Sequence, residues 1–402
     1  MPNPRTLISS YPPDTIDKAF EAKHFSKVHV YLDMKNAMTS LFIEDVMNEI
    51  VWNTHNQGKI DSSIFQSLFL YSVWWKSFCV KRNVDYKMFI VTDKGISRYH
   101  RGIYEGYKAE RDIASSELTA EQRDVREKFL KIRRQNSSLA ENVFSRLPFV
   151  YFLNLDFLET DFLPYYLITR KFSEEKDTLH IVVSNDKDMY QMLHIPNVLQ
   201  IYKMKDEKRI VHRNNFMIQY CKLKTDSIKS REKNMKHIKQ FNPKYFPAYM
   251  SIMGDAIDGI PGVSRMGPKT TLPLFSDPEI LNRVIGTPEE LDDRVAAGGD
   301  YFKELNFNDS CGAWDKLFEK DNFREIVNRS FKLISFEQLA RWLEKRDNTM
   351  KTDWLKRIDE GLDKNTSRIL PPQTVLKSFS TLEDCYLTEN DVNLLYEGAD
   401  LC

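Results

Sequence analysis

Apolar residues gather in short β-prone runs, each of which leads to an acid. Val28-His29-Val30-Tyr31-Leu32 stops at Asp33, Met88-Phe89-Ile90-Val91 leads to Asp93, and Leu179 to Val183 precedes Asp186. Between them lie segments of helical length, Ser62 to Arg82 and Leu118 to Phe144. Strands alternating with helices predict an α/β fold with a mostly parallel central sheet flanked by helices. In such sheets ligands bind beyond the carboxyl ends of the strands, which is where these acids fall.

The pattern changes along the chain. Residues 1–27 carry Pro2, Pro4, Pro12 and Pro13 without a clear period and read as an extension outside the first core strand. The α/β core is expected over 28–221. A basic insert, 222–240, follows with Lys222, Lys224, Lys229, Arg231, Lys233, Lys236 and Lys239, a solvated loop or a nucleic-acid-contacting arm. Residues 241–345 open with the Gly/Pro-punctuated stretch Gly254 to Thr271 and continue with helical patterns at Asp277 to Ile285 and Phe336 to Leu343, an all-helical module. Residues 346–402 read as a helical segment and an acidic tail with Glu383, Asp384, Glu389, Asp391, Glu397 and Asp400.

Charge and cysteine content narrow the function classes. Lys plus Arg and Asp plus Glu each total 58, so any nucleic-acid partner must be held by local patches rather than by global charge. Cys79, Cys221, Cys311, Cys385 and Cys402 are scattered, with no pairing that suggests a zinc site or a disulfide framework. The aromatic stretch Leu147 to Ile168 is broken by Asp156, Glu159 and Asp161, against a membrane span, and a cytoplasmic location is expected.

The acids recur in close pairs: Glu159 with Asp161, Asp186 with Asp188, and Asp255 with Asp258, beside single Asp33 and Asp93. Any one pair is ordinarily a helix cap or a solvated turn. Brought together, they repel unless cations neutralise them, and oxygen-only ligands suit Mg²⁺ or Mn²⁺. Two such ions about 4 Å apart can activate a water and stabilise the leaving oxygen in a phosphoryl displacement.

The local contexts of these acids carry a family resemblance. Val182-Val183-Ser184-Asn185-Asp186-Lys187-Asp188-Met189 resembles the strand-then-SGDKD motif of the flap-endonuclease (5′ nuclease) family, with Asn185 for the usual glycine. Met253-Gly254-Asp255-Ala256-Ile257-Asp258-Gly259-Ile260-Pro261-Gly262-Val263 is similar to its MGDxxDNIPGV motif, with Gly259 for asparagine. Glu159-Thr160-Asp161 resembles its E-A-D-D helix start, although Phe162 stands at the fourth position. The resemblance implies a PIN-like nuclease core with a helical arch, at about 104–146, and a C-terminal helix-hairpin-helix module. It also implies two Mg²⁺ or Mn²⁺ ions, with Asp93, Glu159, Asp161 and Asp186 holding one, Asp188, Asp255 and Asp258 the other, and Asp33 acting from outside.

Tyr107-Lys108-Ala109-Glu110-Arg111 resembles the family's Y-K-x-x-R element at the base of the arch. Lys108 and Arg111, expected one turn apart on a helix face, would then bind the scissile phosphate, and Tyr107 would stack on an unpaired base. Arg123, Arg126, Lys128, Lys131, Arg133 and Arg134 fit an arch helix as well as they fit a solvated face. Gly262, Val263, Gly267, Lys269 and Thr270 lie in a stretch resembling the hairpin of a helix-hairpin-helix element, which implies sequence-blind phosphate contacts and a K⁺ ion on backbone carbonyls. Gln373 to Phe379 resembles the Q-x-x-L-x-x-F clamp-binding peptide, which implies a sliding clamp or single-strand-binding protein as partner.

The expected activity is 5′-3′ exonuclease or flap endonuclease action on branched, nicked or 5′-ended duplex DNA and RNA-primed DNA, in replication or repair. Two rivals remain: a DNA-binding protein that keeps the fold without turnover, favoured by Phe162, and a PIN-type ribonuclease, which leaves the hairpin unexplained.

Overall fold

The computed structural model describes residues 25–36, 57–109, 118–159, 161–204, 207–221, 228–304, 312–350, 353–363, 369–380 and 387–399. Six strands form one sheet: β1 (Lys27–Asp33), β2 (Asp85–Lys94), β3 (Val150–Asp156), β4 (Thr178–Val183), β5 (Val198–Met204) and β6 (Glu207–Val211). Their order is β3-β2-β1-β4-β5-β6. All neighbours pair in parallel except β5 and β6. The three expected strands are present, and β3, β5 and β6 join them.

The chain builds outward from β1 to β3 on one side and from β4 to β6 on the other. The order therefore reverses between β1 and β4, leaving a crevice beyond their carboxyl ends. β1 is buried on both faces, as a central parallel strand must be. Its alternate residues feed two apolar layers. Val28, Val30 and Leu32 face the layer containing the Gln57–Val80 helix and the end of the Ala120–Phe144 helix. Tyr31 joins Phe89, Val91, Leu153 and Val182 in the other layer, which continues without a break into the helical residues as far as Trp314, Val327 and Ile358.

Several described helices are capped at their N-termini by their own sequence. Thr119 caps the Ala120–Phe144 helix in a reciprocal box with Gln122, and Thr287 does the same with Glu290 for the Pro288–Ala296 helix. The β3 edge is covered by the Trp354–Leu362 helix, where Trp354 Nε1 donates to Asp156 O at 2.9 Å and Arg357 Nη2 to Asn154 O at 2.9 Å.

The C-terminal segment is not a trailing acidic tail. Pro372–Ser380 and Glu389–Tyr396 are helices whose Val375, Phe379, Val392 and Leu395 are buried in the first apolar layer. Phe379 lies 5.0 Å from the Phe69 ring. The clamp-peptide expectation fails here because its aromatic anchor is already spent on the protein's own core. Of the basic insert, 228–240 belongs to a helix with Lys236 and Lys239 exposed, Lys222 and Lys224 lie outside the described residues, and so do the side chains of Lys229, Arg231 and Lys233. No described helix is long and apolar enough to cross a membrane.

Candidate active site

The crevice collects the acids. Asp33 ends β1, Asp93 lies near the end of β2, Asp186 follows β4, and Asp161 opens the short Phe162–Tyr166 helix after β3. Local geometry holds them. Asn36 N donates to Asp33 Oδ1 at 3.0 Å and Ser184 Oγ to its Oδ2 at 3.4 Å. Asp188 N donates to Asp186 Oδ1 at 2.9 Å, and buried Gln200 donates to the carbonyls of Ser184 and Asp186, both at 2.8 Å. Gln200 thus fixes the strand end that presents Asp186.

Asp255 and Asp258 sit on a tight loop closed by reciprocal backbone bonds between Asp255 and Ile260, each 2.8 Å. Gly254 enters it at φ +72, and a Cβ there would meet Gly262 N at 2.3 Å. Gly262 answers the same close approach from the other side, since its own Cβ would meet Met253 O at 2.0 Å. Chain packing alone therefore requires a glycine at this position.

Tyr107 and Lys108 lie in a turn, not on a helix face; Lys108 has φ +59. Its backbone N donates to Asp258 O at 3.0 Å, docking the turn on the Asp255–Asp258 loop. Its Nζ lies 2.8 Å from both Glu159 oxygens and 3.6 Å from Asp258 Oδ2. Tyr107 is 2% exposed, stacked on His100 with centroids 4.5 Å apart, and donates to Asp258 Oδ2 at 3.2 Å. It has no face left for a base, so the expected stacking gives way to a role in holding Asp258. His100 is itself fixed, Nδ1 2.7 Å from Ser97 Oγ and Nε2 2.9 Å from Leu333 O. Arg111 lies outside the described residues.

Electrostatics tie the acids into one group. Burial, then Asp186, Asp33 and Glu159, push Asp161 well above the usual carboxylate range. Burial, then Asp186, Asp255 and Asp258, do the same to Asp188. Asp186, raised by burial and by Asp258 and Asp255, therefore links the two sets. Asp33 is pushed up to about 6 by burial, with Asp186 adding to it. Burial also works against ionised Glu159, but His100 and Lys108 beside it hold its carboxyl below the ordinary value.

Among the described residues, no group of three or more His, Cys, Asp or Glu side chains converges in ion-holding geometry. Lysines stand among the acids instead: Lys35 pairs with Asp93, Lys187 lies 2.9 Å from Asp255 Oδ1, and Lys108 bridges Glu159 and Asp258. The donor set nevertheless fits a divalent cation. It is all oxygen, the carboxylates raise one another, and Asp188 Oδ1 is sealed from solvent without a hydrogen-bond partner among the described residues. Phe162 is fully buried against Tyr166, their rings 5.5 Å apart.

The hairpin residues divide. Val263 is buried and its N donates to Ile252 O at 2.8 Å, whereas Gly267, Lys269 and Thr270 are exposed, with Gly267 capping the Pro268–Thr271 helix. On the long helix Arg123, Arg126, Lys128 and Lys131 are exposed, with Lys128 2.6 Å from Asp124, and the side chains of Arg133 and Arg134 lie outside the described residues. The reading of the sequence missed Lys35, Lys187, His100 and Gln200; Lys187 had a signal, lying between Asp186 and Asp188.

No protein-family model and no curated protein matches the chain. Solved structures do. The bacteriophage T5 D15 protein, co-crystallised with metal ions, is 14% identical over 83% of this chain and 99% of its own, with a TM-score of 0.50. A variant T5 D15 flap endonuclease, in a complex with DNA and metal ions, is 14% identical over 84% of this chain and 100% of its own, with a TM-score of 0.52. The mostly parallel sheet, its strand-end acids and its flanking helices give this chain the PIN-like fold of the 5′ nucleases.

Proposed function

We propose that this protein is a metal-dependent 5′ nuclease, acting on branched, nicked or 5′-ended duplex DNA and on RNA-primed DNA in replication or repair. The observation that carries the reading is Lys108, held between Glu159 and Asp258 next to carboxylates that raise one another's pKa. Mutually repelling carboxylates suit cations, and a lysine beside them suits a phosphate.

Asp93, Glu159, Asp161 and Asp186 would hold one Mg²⁺ or Mn²⁺, and Asp188, Asp255 and Asp258 a second, with Asp33 supporting Asp186 from behind. Bound there, the ions supply water activation and neutralise charge on the leaving oxygen. Lys108, assisted by Arg111, neutralises the scissile phosphate. Gln200 and Tyr107 keep Asp186 and Asp258 aimed at it. Gly267, Lys269 and Thr270 grip duplex phosphates without reading sequence, beside a K⁺ on the hairpin carbonyls.

The test is to incubate the protein with end-labelled flap, nicked and RNA-primed duplexes with and without Mg²⁺. Metal-dependent shortening from the 5′ end supports the reading; no cleavage of any of the three discards it.

A further inference from the structure

Large apolar side chains that stand exposed among the described residues are few: Phe157 at 40%, Ile218 at 43% and Ile257 at 70%. Two of these flank the acids. Phe157 is two residues before Glu159, and Ile257 adjoins Asp258. Lys108 ties their loops together by reaching both Glu159 and Asp258. An apolar rim around a charged centre is poorly matched to water.

Phe157 is also held in a strained backbone, at φ +62, a conformation that side chains with a Cβ rarely adopt. Its ring is laid directly on Gly95, where φ is +85 and a Cβ would lie 2.7 Å from Phe157 Cδ1 and Cε1. The Arg98 guanidinium covers the ring at 4.5 Å from its centroid, and Arg98 N donates to Phe157 O at 3.1 Å. Strain, a glycine against its Cδ1–Cε1 edge and an arginine over it hold one aromatic ring, 40% exposed, just past the carboxyl end of β3. Backbone preference does not account for a phenylalanine here; glycine satisfies the local chain better.

An exposed ring with a guanidinium is a surface on which any nucleobase can stack, since every base has a π face. Tyr107 is buried and cannot serve in this way. The geometry points to Phe157, clamped by Gly95 and Arg98, as the stacking platform for an unpaired nucleobase beside the scissile phosphate. This rests on the nuclease reading and names the part of the substrate that the rim recognises.

The test uses a 5′ flap carrying 2-aminopurine in its unpaired nucleotides, bound by the full chain in EDTA so that nothing turns over. Wild-type protein quenches the probe. Phe157→Gly, which relieves the backbone strain, keeps or raises the thermal midpoint yet loses the quenching and binds the flap about tenfold more weakly. Binding of blunt duplex of equal length is unaffected, and Phe157→Tyr keeps the quenching. Unchanged quenching and flap affinity in a folded Phe157→Gly variant overturn the platform, and Mg²⁺-dependent cleavage by the same wild-type preparation then leaves the nuclease reading standing. Quenching that depends on Phe157 in a protein that never cleaves supports the platform and sinks the nuclease reading.

Discussion

Tyr107 donates its hydroxyl to Asp258 Oδ2 at 3.2 Å from a ring that is only 2% exposed. The bond helps to fix the oxygen that also lies 3.6 Å from Lys108 Nζ, so Tyr107→Phe should raise the Mg²⁺ needed for half-maximal cleavage by about tenfold, as loss of a supporting partner typically does. Flap affinity in EDTA should not change. A silent Tyr107→Phe paired with a flap-binding defect in Tyr107→Ala would restore the stacking role.

If Lys108 serves the scissile phosphate as proposed, Lys108→Ala should slow single-turnover cleavage by about 10²–10³-fold. Removing it also releases Glu159 and Asp258 from their ion pairs. Isothermal titration with Mn²⁺ should therefore find metal affinity retained or improved. Weakened metal binding would mean that the lysine orders the acids rather than serving the phosphate.

His29 and His180 lie side by side in the core, ring centroids 5.5 Å apart. Burial lowers His29 from 6.5 to about 2, with His180 adding to it, and burial lowers His180 to about 4. Both rings stay neutral in the fold while the unfolded chain takes up their protons, so stability from this source is complete above their ordinary value and falls as pH drops through it. By about pH 5 each costs roughly 2 kcal/mol, at ~1.36 kcal/mol per pH unit below the unfolded pKa. Neither His29 ring nitrogen has a hydrogen-bond partner among the described residues. His29→Leu should therefore fold and remove about half of the loss that comes from this histidine pair. Urea unfolding at a series of pH values measures this, and an unchanged slope refutes it.

Phe379 is 2% exposed and packs on Phe69. Phe379→Ala should destabilise the protein by about 3–5 kcal/mol, the cost of emptying a buried aromatic site. A variant of undiminished stability would mean that the C-terminal helix does not hold this place in solution and would reopen the clamp-peptide reading.

The strand-end acids were legible because a parallel strand buried on both faces must be written as an uninterrupted apolar run, and the first polar residue after it marks its carboxyl end. β3 was not, because Val150–Asp156 lies inside the longer aromatic stretch Leu147 to Ile168, where no local change of period marks it off. Val375 and Phe379 show the limit of spacing. Phe379 stands four residues after Val375, as the buried face of a helix requires, and three after Leu376, as the clamp-binding peptide requires, and only the neighbouring Phe69 decides between the two. Tyr107 stood in a recognisable motif, but its burial depends on His100 from the Arg98–Ile103 helix, a partner its own segment does not reveal. Lys35 was equally hidden, since it meets Asp93 only once β1 and β2 lie side by side.

The most direct test of the central claim compares wild type with Asp186→Asn in single-turnover cleavage of an end-labelled 5′ flap, alongside flap binding in EDTA. Asp186 links the two carboxylate sets, so losing its charge should slow Mg²⁺-dependent cleavage by orders of magnitude while flap affinity holds or tightens with one repulsive charge gone. Cleavage by Asp186→Asn at the wild-type rate, or wild-type cleavage that persists in EDTA, would contradict the account.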